Sequence, residues 1–208
     1  MILLRLAFQS LVARFLTVFM TVIAIALSLT LYLGVEKLRS AAYTSFTDTI
    51  SQTDLIVGSR TSPVQLLLYS VFRIGNATNN ITWESYEDII NRPEVKWAVP
   101  ISLGDSHKNF RVMGTTNKYF SKYKYRGGQS LIMSEGEIFE DLYDVVLGSD
   151  VAKELNYSIG DPLVVAHGLS SFSTHEDQPF KVKGILSKTG TPVDKTVIIS
   201  LEAIEAIH

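Results

Sequence analysis

The chain has no cysteine, and charge is scarce in it. Of its 208 residues, 19 are basic and 21 are acidic, which leaves a net charge of −2. Without cysteine, the chain has no disulfide scaffold, no thiol nucleophile and no thiolate metal site. The small net charge excludes a polybasic nucleic-acid-binding protein. The hydrophobic content of 46% excludes a chain dominated by disorder, because disordered chains are poor in apolar residues.

The first 35 residues also lack acidic side chains, and their only basic residues are Arg5 and Arg14. Residues 15–35 form a run of 21 residues without a charge. At about 1.5 Å of rise per residue this run covers about 30 Å, the thickness of a bilayer's hydrocarbon core. A cleaved signal peptide has a shorter apolar core and a small-residue cleavage site, and residues 34–37 offer no such site. We therefore predict one uncleaved transmembrane helix.

The charges on the two sides of the span indicate its orientation. Residues 1–14 form a short leader without acids, which is easily retained as an interfacial helix on the cytoplasmic side. Lys37 and Arg39 on the other side weaken this bias, but residues 36–208 carry all 21 acidic side chains and a net charge of −4. We expect residues 36–208 to form an extracytoplasmic domain.

Small and hydroxyl-bearing side chains lie on one side of the predicted span. At about 100° per residue, Thr17, Thr21, Ala24 and Ser28 fall close to one helical face. Such side chains let membrane helices approach closely, so this face is a candidate packing surface for other membrane helices. The alternative is that the hydroxyl groups bind the carbonyls of their own helix.

Beyond the span, short strand patterns alternate with short helix patterns. Apolar and β-branched runs that are bounded by glycine, proline or polar turns predict strands. They lie at residues 53–58, 95–101, 110–114, 145–147, 162–167, 180–186 and 196–200. Helices are expected from Trp83 to Pro93 with Thr82 as N-cap, at 150–155 with Ser149 as N-cap, and from Leu201 onward. This mixture predicts the α+β class.

Residues 64–72 are the most apolar stretch outside the span, with seven apolar or aromatic side chains in nine positions. One interpretation is a buried helix or strand. The other is a partly exposed flap that contacts a lipidated or otherwise hydrophobic substrate, because exposed apolar area of this size commonly marks an interaction site. The candidate contact residues of the flap are Leu66, Leu67, Leu68, Tyr69 and Phe72.

No catalytic, cofactor-binding or metal-binding residue is predicted. The chain has no phosphate-binding G-x-x-x-x-G-K-[ST] loop, so we do not expect it to hydrolyse ATP by itself. His167 and His175, with Glu176 and Asp177 nearby, match no standard metal-site spacing. No cofactor is expected.

Three short motifs occur in the order used by penicillin-recognising serine enzymes. They are S-x-x-K at residues 121–124, Ser149-Asp150, and K-T-G at residues 188–190. The second motif lacks its asparagine, and the first lies in a polar loop that cannot desolvate the lysine and lower its pKa. We therefore reject this enzyme class.

One succession of segments covers nearly the whole chain. After the leader and the span come DLIVG at residues 54–58, VKWAVP at 95–100 and FRVMG at 110–114. DVVLGSDVAKEL at 144–155, IGDPL at 159–163 and FKVKGIL at 180–186 follow. This order resembles the N-terminal half of the MacB/FtsX-type ABC transporter permeases, the group that includes the LolC/LolE subunits.

The resemblance implies a periplasmic core domain of two lobes, inserted between the first and second membrane helices. A porter-like lobe is expected at about 45–110 and 178–208, and a smaller inserted lobe at about 111–177. Because such permeases continue with three more membrane helices, the resemblance also implies that this chain is part of a longer protein.

The same resemblance implies a function in the bacterial inner membrane. Such permeases form dimers with a second copy or a paralogue, bind a cytoplasmic ABC ATPase, and convert its closure into movement of the periplasmic domains. Membrane lipid and a lipoprotein or other hydrophobic substrate are the further expected partners, and nucleic acid is not. The alternative is a single-span, membrane-anchored binding or chaperone module without an ATPase.

Overall fold

The computed structural model describes residues 5, 9–10, 12–75, 79–166 and 179–207, without the side chains of 45–47. The chain divides into two compact units, Met1–Phe46 and Thr47–His208. Most of the expected leader at residues 1–14 lies outside the described residues.

A single long helix dominates the first unit. Helix α1 spans Phe15–Thr49, which is 35 residues, and its last three residues belong to the second unit. Its stretch Phe15–Thr44 has a mean hydropathy of 2.3 and none of its apolar window is buried, so it is long and apolar enough to cross a membrane. The predicted span is therefore confirmed as a helix, and the helix continues without a break beyond Val35, where the span was expected to end.

The second unit is built on a mixed sheet. Its strands are β1 (Ile101–His107), β2 (Phe110–Thr115), β5 (Met133–Gly136), β6 (Asp144–Leu147), β7 (Pro162–Leu163), β8 (Phe180–Leu186) and β9 (Thr196–Ser200), and a separate hairpin consists of β3 (Lys124–Tyr125) and β4 (Gln129–Ser130). The sheet order is β1-β2-β9-β6-β8-β5, and β7 pairs with the beginning of β8. Strand β9 lies parallel to β2, and β8 lies parallel to β6, whereas the other pairs are antiparallel.

Short helices connect the strands. They are α2 (Pro63–Ser70), α3 (Trp83–Ile90), α4 (Lys118–Lys122), α5 (Ser149–Leu155), a 3-10 turn (Pro192–Lys195) and α6 (Leu201–Ile207). The side chain of Thr82 accepts a hydrogen bond from the Ser85 amide and caps α3, as predicted. The predicted cap at Ser149 is wrong, because Gly148 occupies the N-cap position and its backbone approaches residues 193–194 too closely for any side chain.

Successive side chains of a strand point to opposite faces of the sheet. A buried cluster lies on each of the two faces. The first face buries a cluster with α5 and α6 that includes Val112, Val145, Leu147, Val151, Val197, Ile199 and Ala203. The second face buries a cluster with α4 that includes Met113, Tyr119, Phe120, Phe139, Val146, Leu186 and Ile198. The central strands therefore consist of continuous apolar residues, which is typical of strands covered on both sides.

The mixed α+β fold is confirmed, but two predicted strands are wrong. Residues 53–58 form no strand, since Leu55 is 76% exposed and only Ser51 makes a β-bridge, to Lys124. Residues 95–100 are irregular up to Pro100, and β1 begins at Ile101. A short run of β-branched and apolar residues is not sufficient for a strand, because strand formation depends on pairing and packing partners as well as on propensity.

The sheet joins segments that the resemblance assigns to different lobes. Strands β2 and β6 lie in residues 111–177 or at their border, and they pair with β8 and β9 from residues 178–208. No break in this sheet separates the two segments within the described residues. The division into a porter-like lobe and an inserted lobe stays a prediction.

Candidate functional site

Helix α1 ends in hydrogen bonds to the β3–β4 hairpin. The backbone amide of Arg126 donates to the carbonyl of Asp48 at 2.9 Å. The hydroxyl of Tyr123 donates to the carbonyl of Thr49. The last four carbonyls of a helix have no partner within the helix, and these two bonds satisfy those of Asp48 and Thr49.

The chain after α1 binds the same hairpin. The Ser51 amide donates to the Lys124 carbonyl at 2.8 Å, and the Gly127 amide donates to the Ser51 hydroxyl at 3.2 Å. Three successive residues of the hairpin turn have positive φ, namely Arg126, Gly127 and Gly128, a conformation that glycine adopts without steric cost. We call residues 48–52 and 123–128 together the joint.

A buried carboxylate organises the loop at residues 188–194, which we call the carboxylate loop. Asp194 is 2% exposed. It accepts hydrogen bonds from the Thr189 amide at 2.8 Å, the Thr189 hydroxyl at 2.8 Å and the Gly190 amide at 2.7 Å. Lys188 lies 3.4 Å from Asp194 and 2.6 Å from Asp150, and the hydrogen bond to Asp150 is the main reason why its pKa is raised. The K-T-G residues of the rejected enzyme pattern thus bind carboxylates within the fold.

The joint contacts the carboxylate loop through the side chain of Arg126. The Arg126 guanidinium lies so close to Gly190 that a Cβ atom there would collide with it. Burial raises the pKa of Tyr123, and the positive charge of Arg73 acts in the opposite direction. The hairpin therefore touches the end of α1 on one side and the carboxylate loop on the other.

Two hydroxyl groups on the predicted packing face of the membrane helix bind carbonyls of their own helix. Thr21 donates to the Thr17 carbonyl at 2.8 Å, and Ser28 donates to the Ala24 carbonyl at 2.9 Å. All four side chains are exposed. These bonds turn the hydroxyls of Thr21 and Ser28 toward their own helix. Its role in helix packing stays a prediction.

The predicted flap is mostly helix α2, which contains no fully buried residue. Leu66, Leu67, Tyr69 and Phe72 are half-buried, whereas Leu68 is 39% exposed. The Tyr69 hydroxyl donates to the backbone carbonyl of Leu103 in β1 and holds the helix to the sheet. The five predicted contact residues thus divide into one exposed side chain and four that pack partly against the domain.

The histidines do not form a metal site in the described residues. His107 is 5% exposed, and its ring nitrogens bind the Val164 carbonyl at 2.6 Å and the Tyr157 hydroxyl at 3.0 Å. Burial and then the neighbouring Lys108 lower the pKa of His107, against the hydrogen bond to Val164. The described residues contain no group of three or more metal-ligating side chains. His167, His175, Glu176 and Asp177 lie outside the described residues.

Sequence reasoning missed the joint and the carboxylate loop. The sequence of residues 123–128, Tyr-Lys-Tyr-Arg-Gly-Gly, indicates only a turn. Its partners at residues 48–51 are about 75 positions away in sequence, as for Tyr123 and Thr49. Only the aromatic side chains within a glycine-closed basic turn could have drawn attention to it.

The family model described as MacB-like periplasmic core domain matches residues 15–208. The match includes α1 and the whole of the second unit. No curated protein sequence is similar enough to the chain to count as a relative. A membrane-capable N-terminal helix followed by this domain is the arrangement of the N-terminal part of MacB/FtsX-type permeases. The chain therefore belongs to the MacB-like periplasmic core domain family of ABC-transporter-type permeases.

Proposed function

We propose that the chain is the permease subunit of an ABC transporter of the MacB/LolC type, which couples ATP hydrolysis by a partner subunit to movement of its extracytoplasmic domain. The observation that carries this proposal is α1, which runs unbroken from Phe15 to Thr49 and ends in hydrogen bonds to the joint. A helix of this length covers about 50 Å, so it is long enough to cross the bilayer and still reach into the domain.

The energetic requirement of such coupling is specific. The ATPase shifts the domain between two arrangements only if it binds one arrangement more tightly than the other, and a 1:99 to 99:1 shift needs about 5.5 kcal/mol of difference. A stiff helix that is bonded at its far end transfers this preference, whereas a flexible linker would dissipate it. The 208 residues contain no phosphate-binding loop, and we assign ATP hydrolysis to a partner subunit.

The remaining partners follow from the exposed surfaces. The face at Thr17, Thr21, Ala24 and Ser28 packs against membrane helices of the same permease or of a second copy. The chain lies in the inner membrane, with the domain after α1 in the periplasm. Exposed apolar residues of α2 contact a lipoprotein or another hydrophobic substrate.

Co-purification from membranes tests the proposed function. The full-length gene product should retain a P-loop ATPase encoded beside it, and ATP turnover should depend on that ATPase. A reporter fused after residue 208 should be active only outside the cytoplasm. A protein that binds no ATPase, with its domain outside the cytoplasm, would contradict the proposal and favour a single-span binding module.

Substitution of Leu68 tests substrate contact by α2. Because Leu68 is 39% exposed, Leu68→Ala should change the free energy of unfolding by no more than about 0.5 kcal/mol. Substrate release by the full-length transporter should nevertheless fall several-fold. The control is Leu186→Ala at a residue that is 1% exposed, which should cost about 2–5 kcal/mol. Substrate release by the Leu68 variant at the wild-type rate would contradict the hypothesis that α2 contacts the substrate.

A further inference from the structure

His107 joins an edge of the sheet to two other segments of the domain. It is the last residue of β1, which is the first strand in the order of the sheet. Its Nδ1 atom lies 2.6 Å from the carbonyl oxygen of Val164, and its Nε2 atom lies 3.0 Å from the hydroxyl of Tyr157. One imidazole ring therefore connects β1 with the chain after α5 and with the chain after β7.

Backbone hydrogen bonds beside the ring hold one of these segments to β1. The Ser106 amide donates to the Ala166 carbonyl at 2.9 Å, and the Ala166 amide donates to the Ser106 carbonyl at 2.8 Å. Ser106 also lies opposite Arg111 of β2 in the sheet, so the bridge to Ala166 is on the other, outer side of β1. Residues 164–166 are thus attached to β1 by this bridge and by His107.

The two hydrogen bonds of the ring are those of a neutral imidazole. A carbonyl oxygen can only accept, so Nδ1 carries the proton and donates to Val164. In the neutral ring Nε2 is then an acceptor, and the Tyr157 hydroxyl donates to it. A second proton on Nε2 would make this nitrogen a donor, and the hydroxyl would have to turn its own hydrogen away.

The surroundings of the ring disfavour a positive charge. His107 is 5% exposed, and both of its hydrogen-bond partners are uncharged. The Nζ atom of Lys108 lies 5.4 Å from the centroid of the Tyr157 ring, so a cation is already close. Burial and this lysine lower the pKa of His107. The charged residues of the adjoining segments are Asp105 on β1, Arg111 on β2 and Asp161 before β7, whose carboxylate accepts from the Ser158 amide.

We propose that His107 is an acid-sensitive clasp, which fastens residues 164–166 to β1 when its ring is neutral and loosens them when the ring is protonated. The ordinary pKa of histidine is about 6.5, and the clasp opposes protonation. The attachment is therefore strongest above about pH 6.5 and weakens as the pH falls below that value. Loosening frees the backbone groups of Ser106 at the edge of the sheet, where another chain can pair.

Hydrogen–deuterium exchange of the full-length permease in lipid tests the clasp. Protection of the Ser106 and Ala166 amides is measured at pH 7.5 and at pH 5.0, after correction for the intrinsic dependence of exchange on pH. His107→Asn removes the titrating ring and retains an amide that can donate to Val164. His167→Asn is the matched control, because it removes a histidine that directly follows Ala166 in the sequence.

In the wild type and in His167→Asn, protection at the lower pH should fall several-fold. The limit is about 30-fold, which is the largest effect of one histidine with an open-state pKa of about 6.5. In His107→Asn, protection should be the same at both pH values. No acid-dependent loss in the wild type, or an undiminished loss in His107→Asn, would overturn the proposal.

Two further measurements keep the test decisive. The amide of Ile198, a residue of β9 that is 0% exposed, should remain protected at pH 5.0, and an equal loss there would mean that the whole domain opens rather than the clasp. If His107→Asn does not fold, His107→Gln replaces it, since its longer amide can reach the Tyr157 hydroxyl. An acid-dependent loss of wild-type size in His107→Gln would likewise overturn the proposal.

Discussion

Asp194→Ala should lower the free energy of unfolding of the chain by about 3–5 kcal/mol. The carboxylate is almost fully buried and accepts three hydrogen bonds, from two backbone amides and the Thr189 hydroxyl. Its removal leaves these donors buried without an acceptor, and each such donor costs about 1–3 kcal/mol. The loss concerns the loop between β8 and β9, which are both central strands, so the whole sheet should be affected.

Asp150→Ala is the matched control for this prediction. Its carboxylate binds Lys188 at 2.6 Å, but the lysine side chain is 60% exposed. Such a solvent-exposed ion pair contributes about 0–1 kcal/mol. Chemical denaturation of the detergent-solubilised chain, followed by tryptophan fluorescence, gives both values. Equal losses for the two variants would mean that burial of Asp194 does not govern the stability of the carboxylate loop.

Ala41→Pro should abolish ATP-driven substrate release while the domain stays folded. Ala41 lies within α1, between the predicted span and the joint. Proline removes one backbone hydrogen bond and clashes with the preceding turn, which costs an interior helix about 3 kcal/mol or more. A kinked or broken α1 cannot transmit to Thr49 the preference of the ATPase for one arrangement of the domain. Substrate release should therefore fall by more than about 100-fold.

Ala41→Leu is the control for the helix break, since leucine adds bulk at the same exposed position and remains a good helix former. It should retain most of the substrate release. Thermal unfolding of both variants monitors the domain, which begins at Thr47. Wild-type release by Ala41→Pro would show that continuity of α1 is not required for coupling.

The parts of the fold that were predictable are those that local pattern determines. The uncharged run at residues 15–35 predicts a long apolar helix, which the structure has. Thr82 before Trp83 predicts an N-cap, because its hydroxyl can accept a hydrogen bond from an amide of the first turn. The strands at 110–114, 145–147, 180–186 and 196–200 are apolar enough to be buried on both faces, which is where the structure has them.

The wrong or missed parts depend on partners that are distant in sequence. Residues 53–58 resemble a strand but do not pair with the sheet. Asp194 looks like an ordinary turn residue, and its burial becomes evident only when the loop closes around it. The Tyr123 hydroxyl binds the carbonyl of Thr49, which lies 74 positions away, and no periodicity in the sequence brings these two residues together.

The central claim is that α1 couples nucleotide binding by a partner ATPase to movement of the domain that follows the helix. The most direct measurement is the spin-label distance between two copies of the full-length permease that carry Lys153→Cys in the exposed part of α5, since this segment has no native cysteine. We predict that the distance distribution differs between the nucleotide-free and ATP-bound complexes, and that Ala41→Pro removes the difference. Identical distributions in the two states of the wild-type complex would contradict the claim.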